Sequence, residues 1–223
     1  MYGMIFCVVA EGSVGSVQTL PECDIAVFGF NGLGEVDYES EIKGQTENFD
    51  RAARLSKNAE CGLLCGCKTK TRGVLRKSVA VSDRGRLLGI SDMTHVIDGE
   101  DYKSGASLGF YKVNGCNVGL CIENDLLFPD SIKSLTACGC NVIVAVMEEL
   151  KDTLPPLLIR AYSYLYGVPI IMCAGKTAYF ADISGAIATS TQKTALFEIT
   201  PQSRYHIVTT RVKGISADEK EDY

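Results

Sequence analysis

Basic charge is in short supply in this chain. Lysine and arginine number 22 against 27 aspartates and glutamates, a net charge of −5, and the cations form no block. A phosphate backbone calls for a cluster or stripe of cations, so nucleic acid is excluded as an expected partner, and an anionic membrane surface with it. Histidine occurs only twice, at His95 and His206. Long apolar runs are missing too: Asn141–Met147 and Val168–Ala174 fall far short of the ~20 residues of a membrane-crossing helix. No Gly-x-Gly-x-x-Gly follows a strand. Ala174-Gly-Lys-Thr177 matches only the end of a phosphate-binding loop, because the required first glycine is Ile170.

Apolar residues and cysteine are plentiful. With 223 residues, 46% of them hydrophobic, the chain is too apolar for disorder. A chain of this length buries roughly 70–75% of its unfolded surface. Such a core needs no disulfide staples, so the ten cysteines require another explanation. The apolar run Met4–Ala10 has no Lys or Arg before it and reads as a first strand, not a signal-peptide core. A cytosolic protein is expected, with reduced thiols behaving as small core hydrophobes. The sharper alternative is a metal site at Cys61, Cys65 and Cys67. Strand neighbours two apart lie about 6.6 Å apart, whereas two thiolates on one zinc lie about 3.8 Å apart, so a straight strand does not close the gap. No zinc is therefore expected there. Cys138 and Cys140, either side of Gly139, read as packing residues.

Strands and helices alternate along the chain. Met4–Ala10 and Asp24–Phe30 read as strands, the second followed by the turn-rich Asn31-Gly-Leu-Gly34. Thr46–Asn58 reads as a helix with Phe49, Ala52, Ala53 and Ser56 on one face. Cys61–Lys68 and Leu75–Val81 form a hairpin around Thr71-Arg-Gly73, and Asp83-Arg-Gly85 turns the chain into Arg86–Ile90. Phe110–Val113 and Asn117–Ile122 pair around Asn114-Gly115. Pro129-Asp-Ser131 opens a helix with Ile132, Leu135 and Cys138 inward, and Pro155-Pro156 opens a longer one ending at Gly167. Strands are expected over about Thr194–Val212. The acidic Gly214–Tyr223 reads as a disordered tail, leaving residues 1–213 as one α/β domain with mixed sheets.

One stretch is more specific than the rest: Val118-Gly-Leu-Cys-Ile-Glu-Asn-Asp-Leu-Leu-Phe-Pro-Asp130. It resembles the nucleophile segment of the nitrilase, or carbon–nitrogen hydrolase, superfamily, in which a Val-Gly strand runs into Cys-Tyr-Asp and then Phe-Pro-Glu. Gly119, Asp125, Phe128, Pro129, Asp130 and Gly139 fall in step. Lys77-Ser-Val-Ala-Val-Ser-Asp-Arg-Gly-Arg-Leu-Leu-Gly89 is similar to the hairpin before that family's lysine, and Tyr162–Ala174 to its later helix and strand. Phe180-Ala-Asp-Ile-Ser184 is similar to its Phe-x-Gly-x-Ser turn. The resemblance spans about residues 4–212 and implies a four-layer αββα sandwich with two mixed β-sheets, pairing through outer helices into a homodimer, with no cofactor and no metal.

The same resemblance implies a hydrolase using a Glu base, a Lys that stabilises the intermediate and a Cys nucleophile. Those three positions fall on Phe30, Met93 and Glu123. Phenylalanine takes no proton, methionine carries no charge, and a carboxylate is a far poorer acyl nucleophile than a thiolate. No lysine lies between Lys77 and Lys103, so a small slip in register does not restore one. Glu35 is a displaced-base candidate in a glycine-rich loop, Glu100 corresponds to an accessory glutamate, and Asp182 and Leu165 replace a turn glycine and a helix glutamate. The first expectation is an inactive relative that binds a small molecule, regulates or serves a structural role. In that reading Glu123 is either buried without a lysine beside it, a ligand-sensing acid with its pKa raised, or paired with a backbone group or a local cation and inert. The alternative is an amide hydrolase with relocated groups. Its nucleophile would be Cys121, on the face of Glu123 if the strand is regular, and Asp92, His95, Glu100 and Glu123 would supply acid–base or metal chemistry. An unrelated α/β enzyme or binder is a third possibility without a motif to support it.

Overall fold

The computed structural model describes residues 3–199. The strands expected beyond Ile199 and the acidic tail at 214–223 lie outside the described residues. In chain order the elements are β1 (Met4–Val9), β2 (Ile25–Phe28), β3 (Gly34–Asp37), α1 (Tyr38–Ile42), α2 (Asn48–Asn58), β4 (Gly62–Thr71), β5 (Val74–Asp83) and β6 (Arg86–Asp92). There follow β7 (Phe110–Val113), β8 (Cys116–Ile122), a 3-10 turn (Glu123–Leu127), α3 (Pro129–Ala137), β9 (Val142–Met147), α4 (Leu154–Tyr166), β10 (Ile170–Ala174), β11 (Thr177–Ala181), β12 (Ile187–Ser190) and β13 (Thr194–Ile199).

Local chemistry sets most of these boundaries. The three hairpin tips each place two residues at positive φ: Arg72 and Gly73, Arg84 and Gly85, Asn114 and Gly115. Two-residue turns of that kind match the right-handed twist of the strands they join. The start of α2 is capped at a distance, the carboxylate of Glu41 accepting from the N–H groups of Asn48 (3.0 Å) and Phe49 (3.2 Å). Pro129 opens α3, and Gly167 closes α4 at φ +65°. The segment at Gly34–Asp37, expected as loop, is a short strand parallel to β4.

Two mixed sheets result. One runs β13-β1-β2-β4-β5-β6, with β3 paired to β4; the other runs β12-β11-β10-β9-β8-β7. Alternation along the strands sorts the core into layers. Phe6, Val8, Val27, Leu64, Val79 and Met93 of the first sheet meet Val118, Leu120, Ile122, Val144 and Ile171 of the second. The outer face of the second sheet packs on α3 and α4 through Ile132, Leu135, Ile159 and Tyr162. Phe28, Leu63 and Cys65 pack with Ala52 and Leu55 of α2 on the outer face of the first. This is a four-layer αββα sandwich. Among the described residues, no helix is long and apolar enough to cross a membrane.

The cysteines divide unevenly among these layers. Cys61 and Cys65 lie under α2, while Cys67 joins a separate cluster with Val36 and Phe49. Cys138 was expected inside, but α3 ends at Ala137, the helical face does not continue through it, and the residue is exposed.

Candidate functional site

At the end of β8 the chain reverses sharply. Glu123 adopts φ +50°, a left-handed conformation costly for a residue with a side chain. The buried carboxylate of Asp125 holds the turn together. It accepts from the N–H of Ile122 at 3.2 Å, the N–H and hydroxyl of Thr94 at 2.9 and 2.6 Å, and the N–H of His95 at 2.9 Å. His95 Nδ1 lies 2.9 Å from the same oxygen, and its ring stacks on Phe128 at 4.0 Å between centroids.

This reversal aims Glu123 toward Lys77. Its Oε1 lies 3.3 Å from Lys77 Nζ and accepts the Glu148 N–H at 2.5 Å. Lys77 Nζ is also 3.5 Å from Glu148 Oε2, and Glu148 forms a second ion pair with Lys68. The charges therefore alternate along a chain: Glu123, Lys77, Glu148, Lys68. Lys77 and Glu123 are each 8% exposed. The ammonium lies 5.9 Å from the Phe30 ring centre and 5.1 Å from that of Tyr102, distances at which the faces of aromatic rings attract cations. Burial raises the Glu123 pKa, outweighing the attraction of Lys77 and the Glu148 N–H. For Glu148 burial acts in the same sense, but Lys68 and then Lys77 overcome it and hold the carboxyl below its ordinary value.

The backbone explains how Lys77 arrives. β5 and β6 pair with Ser78 opposite Asp92, and the Met93 N–H donates to the Lys77 carbonyl at 2.8 Å. Lys77 therefore stands across the strand pair from Met93. The bridge between Leu75 and Tyr102, with the Lys103 N–H donating to the Leu75 carbonyl at 2.9 Å, fixes Tyr102 beside the ammonium. Phe30 approaches because residue 66 is glycine: a Cβ there would meet the Phe30 nitrogen at 2.8 Å.

The expected site residues fare differently. Phe30, Met93 and Glu123 all adjoin Lys77. Glu100 accepts from Asn124 Nδ2 at 3.0 Å, beside the turn. Of the two expectations for Glu123, the unpaired acid is wrong, because Lys77 reaches it from β5 of the facing sheet and the Glu148 N–H binds the same oxygen. Cys121 does not share its face. β8 ends at Ile122 and the chain then reverses, so alternation does not carry through to Glu123. Cys121 packs instead with Leu126, Ile132, Ile159 and Tyr162 under the outer helices, where burial drives its thiol well above the ordinary value. Asp92 is engaged elsewhere, accepting from Ser78 Oγ at 2.6 Å with Arg76 3.5 Å away. Glu35 lies on β3, at the rim of a groove of about 520 Å³ that Lys68, Lys70, Leu75 and Tyr102 also line. Lys77, Glu148, Lys68 and Tyr102 were missed as site residues. The one signal was a lysine entering an apolar strand, Ser78–Val81, where a charge needs a partner.

Neither a protein-family model nor a curated protein matches the chain. Solved structures do. A variant of the Nesterenkonia AN1 amidase from the nitrilase superfamily superposes with a TM-score of 0.70 at 13% identity, over 91% of this chain and 92% of that one. Saccharomyces cerevisiae Nit3, a member of branch 10 of the nitrilase superfamily, gives 0.73 at 13% identity, covering 90% and 91%. A carbon–nitrogen hydrolase from Helicobacter pylori G27 gives 0.68 at 15% identity, covering 89% and 88%. At these identities the likeness establishes the nitrilase fold.

Proposed function

We propose that this is a nitrilase-fold protein that does not hydrolyse amides or nitriles and serves as a small-molecule-binding, regulatory or structural relative. The observation that carries this reading is the state of residue 123. Where the resemblance calls for a thiol, a carboxylate is held by an ammonium at 3.3 Å and a backbone N–H at 2.5 Å. A carboxylate so engaged is a weak nucleophile, and the buried aromatic ring of Phe30 stands where a base is called for. Cys121 offers no substitute, being buried on the far side of its sheet, where burial pushes its thiol well above the ordinary value.

The same reading includes a cytosolic location and a homodimer formed through the outer helices. Leu157, Tyr164 and Leu165 on the outer face of α4 are exposed, as a paired surface would require. The test is ammonia release from a panel of short amides and nitriles. No release above the protein-free control is expected. Turnover that disappears in Glu123→Gln or Lys77→Met would overturn the reading.

A further inference from the structure

Two donors converge on a single oxygen at the centre of the site, the Lys77 ammonium and the Glu148 N–H, both on Oε1 of Glu123. Neither belongs to the segment that carries Glu123. Lys77 is built into β5 of the first sheet, and Glu148 follows β9 of the second. The pocket is thus set by the two faces of the sandwich rather than by the turn that fills it. Each donor is also anchored apart from Glu123. Lys77 is held by its pairing with Met93 and by Glu148 Oε2 at 3.5 Å. The chain before Glu148 is tied down by the Gly175 N–H donating to the Met147 carbonyl at 3.2 Å, and the Glu148 carboxylate is bound by Lys68.

An ammonium and a backbone N–H aimed at one point, with aromatic rings around the cation, are the elements of a carboxylate receptor. Without Glu123, Lys77 Nζ keeps one carboxylate as an ion-pair partner, Glu148, which Lys68 also pairs, so the ammonium and the N–H have room for one anion. Lys68, which pairs with Glu148, and Tyr102, whose ring centre lies 5.1 Å from Lys77 Nζ, line the groove of about 520 Å³ together with Glu35, Asp37 and Lys70.

We propose that Lys77 and the Glu148 N–H form a carboxylate-binding site that Glu123 occupies from within, and that small monocarboxylates are its external ligands, competing with Glu123. This rests on the reading of the site as one that binds rather than hydrolyses, and it names the ligand class. The atoms lost on cutting Glu123 back to alanine, Cγ, Cδ and the two oxygens, are the heavy-atom skeleton of acetate, which makes acetate the probe.

The experiment is thermal unfolding of the full chain in sodium acetate, with sodium chloride of equal ionic strength as reference. For Glu123→Ala, acetate should raise Tm by roughly 3–6 °C in a saturable manner at millimolar concentration. The wild type, in which acetate has to displace Glu123, should rise less at each concentration, and the double variant Glu123→Ala/Lys77→Met should follow the chloride reference. A Glu123→Ala protein indifferent to acetate would overturn the proposal, as would a response that survives loss of Lys77. If Glu123→Ala does not fold in chloride, recovery of folded protein on refolding in acetate supports the site. Failure in both salts while Glu123→Gln folds counts against it. Ammonia release would sink the functional reading and leave the acetate response unaffected, so the two failures are told apart.

Discussion

At the scale of single residues, Lys77 is the most consequential side chain in the site. It neutralises two carboxylates and lies near two aromatic rings while only 8% exposed. Replacing it with methionine keeps the volume but leaves Glu123 without its cation. Breaking a buried pair in this way costs about 3–5 kcal/mol, because the remaining charge is desolvated and unpaired. Urea unfolding of Lys77→Met should show a loss of that size, and adding Glu123→Gln should return part of it. Glu123 also gives a pH signature. Its folded pKa lies above the ordinary glutamate value of 4.5, so the folded state holds this proton more tightly than the unfolded chain. The resulting stability is fully present below pH 4.5 and is lost as pH rises through the raised value. Wild type should therefore lose stability relative to Glu123→Gln as pH increases from 4.5 upward. Glu148, whose shift has the opposite sign, is present in both proteins and still pairs with Lys68 and Lys77. Parallel urea titrations at several pH values would check this, and a flat difference would contradict it.

At the scale of elements, the site depends on the β5–β6 pair, the turn after β8 and the close approach of the Phe30 segment to β4. The last of these is the most sensitive to a single methyl group. A Cβ at residue 66 would come within 2.8 Å of both the Gly29 carbonyl carbon and the Phe30 nitrogen, backbone atoms that cannot swing aside. Gly66→Ala should destabilise the protein by about 1–3 kcal/mol through overpacking. It should also speed amide exchange in the Phe30 turn and leave the Asp125 turn unaffected, a pattern that hydrogen exchange would resolve. Most elements were legible in the sequence because their signals are local: proline at helix starts, glycine at Gly167, paired turn residues at three hairpin tips. β3 was not legible, since Gly34–Asp37 is a strand only by virtue of pairing with β4. Glu123 likewise looked like the next residue of a regular strand. The reversal depends on Asp125 meeting Thr94 and His95, some thirty residues away in the chain.

At the scale of the whole molecule, the two sheets bury a continuous apolar core between them, and the outer helices close each side. The outer face of α4 remains apolar and exposed at Leu157, Tyr164 and Leu165. If pairing through this face is correct, sedimentation should give twice the 24.1 kDa chain mass. A charge placed at Leu157 should return a monomer with unchanged far-ultraviolet circular dichroism. A chain that sediments at its own mass at micromolar concentration would refute the pairing.

The sequence by itself determined the order of strands and helices in a mixed α/β domain, since alternation, turn residues and capping act over a few residues and repeat along the chain; the four layers followed from the resemblance. Its resemblance to a known family also raised the expectation that Phe30, Met93 and Glu123 take the three positions of a hydrolytic triad. Tertiary structure decided what surrounds them. Lys77 meets Glu123 across 46 residues of chain because β5 lies beside β6 and faces the second sheet, and Glu148 completes the pair from that sheet. Glu123, two residues past Cys121, was turned off that cysteine's face by one backbone reversal. Distance along a chain sets which residues share a strand face. Distance between charges follows from strand pairing and sheet packing, which bring together residues with no local signal of their meeting.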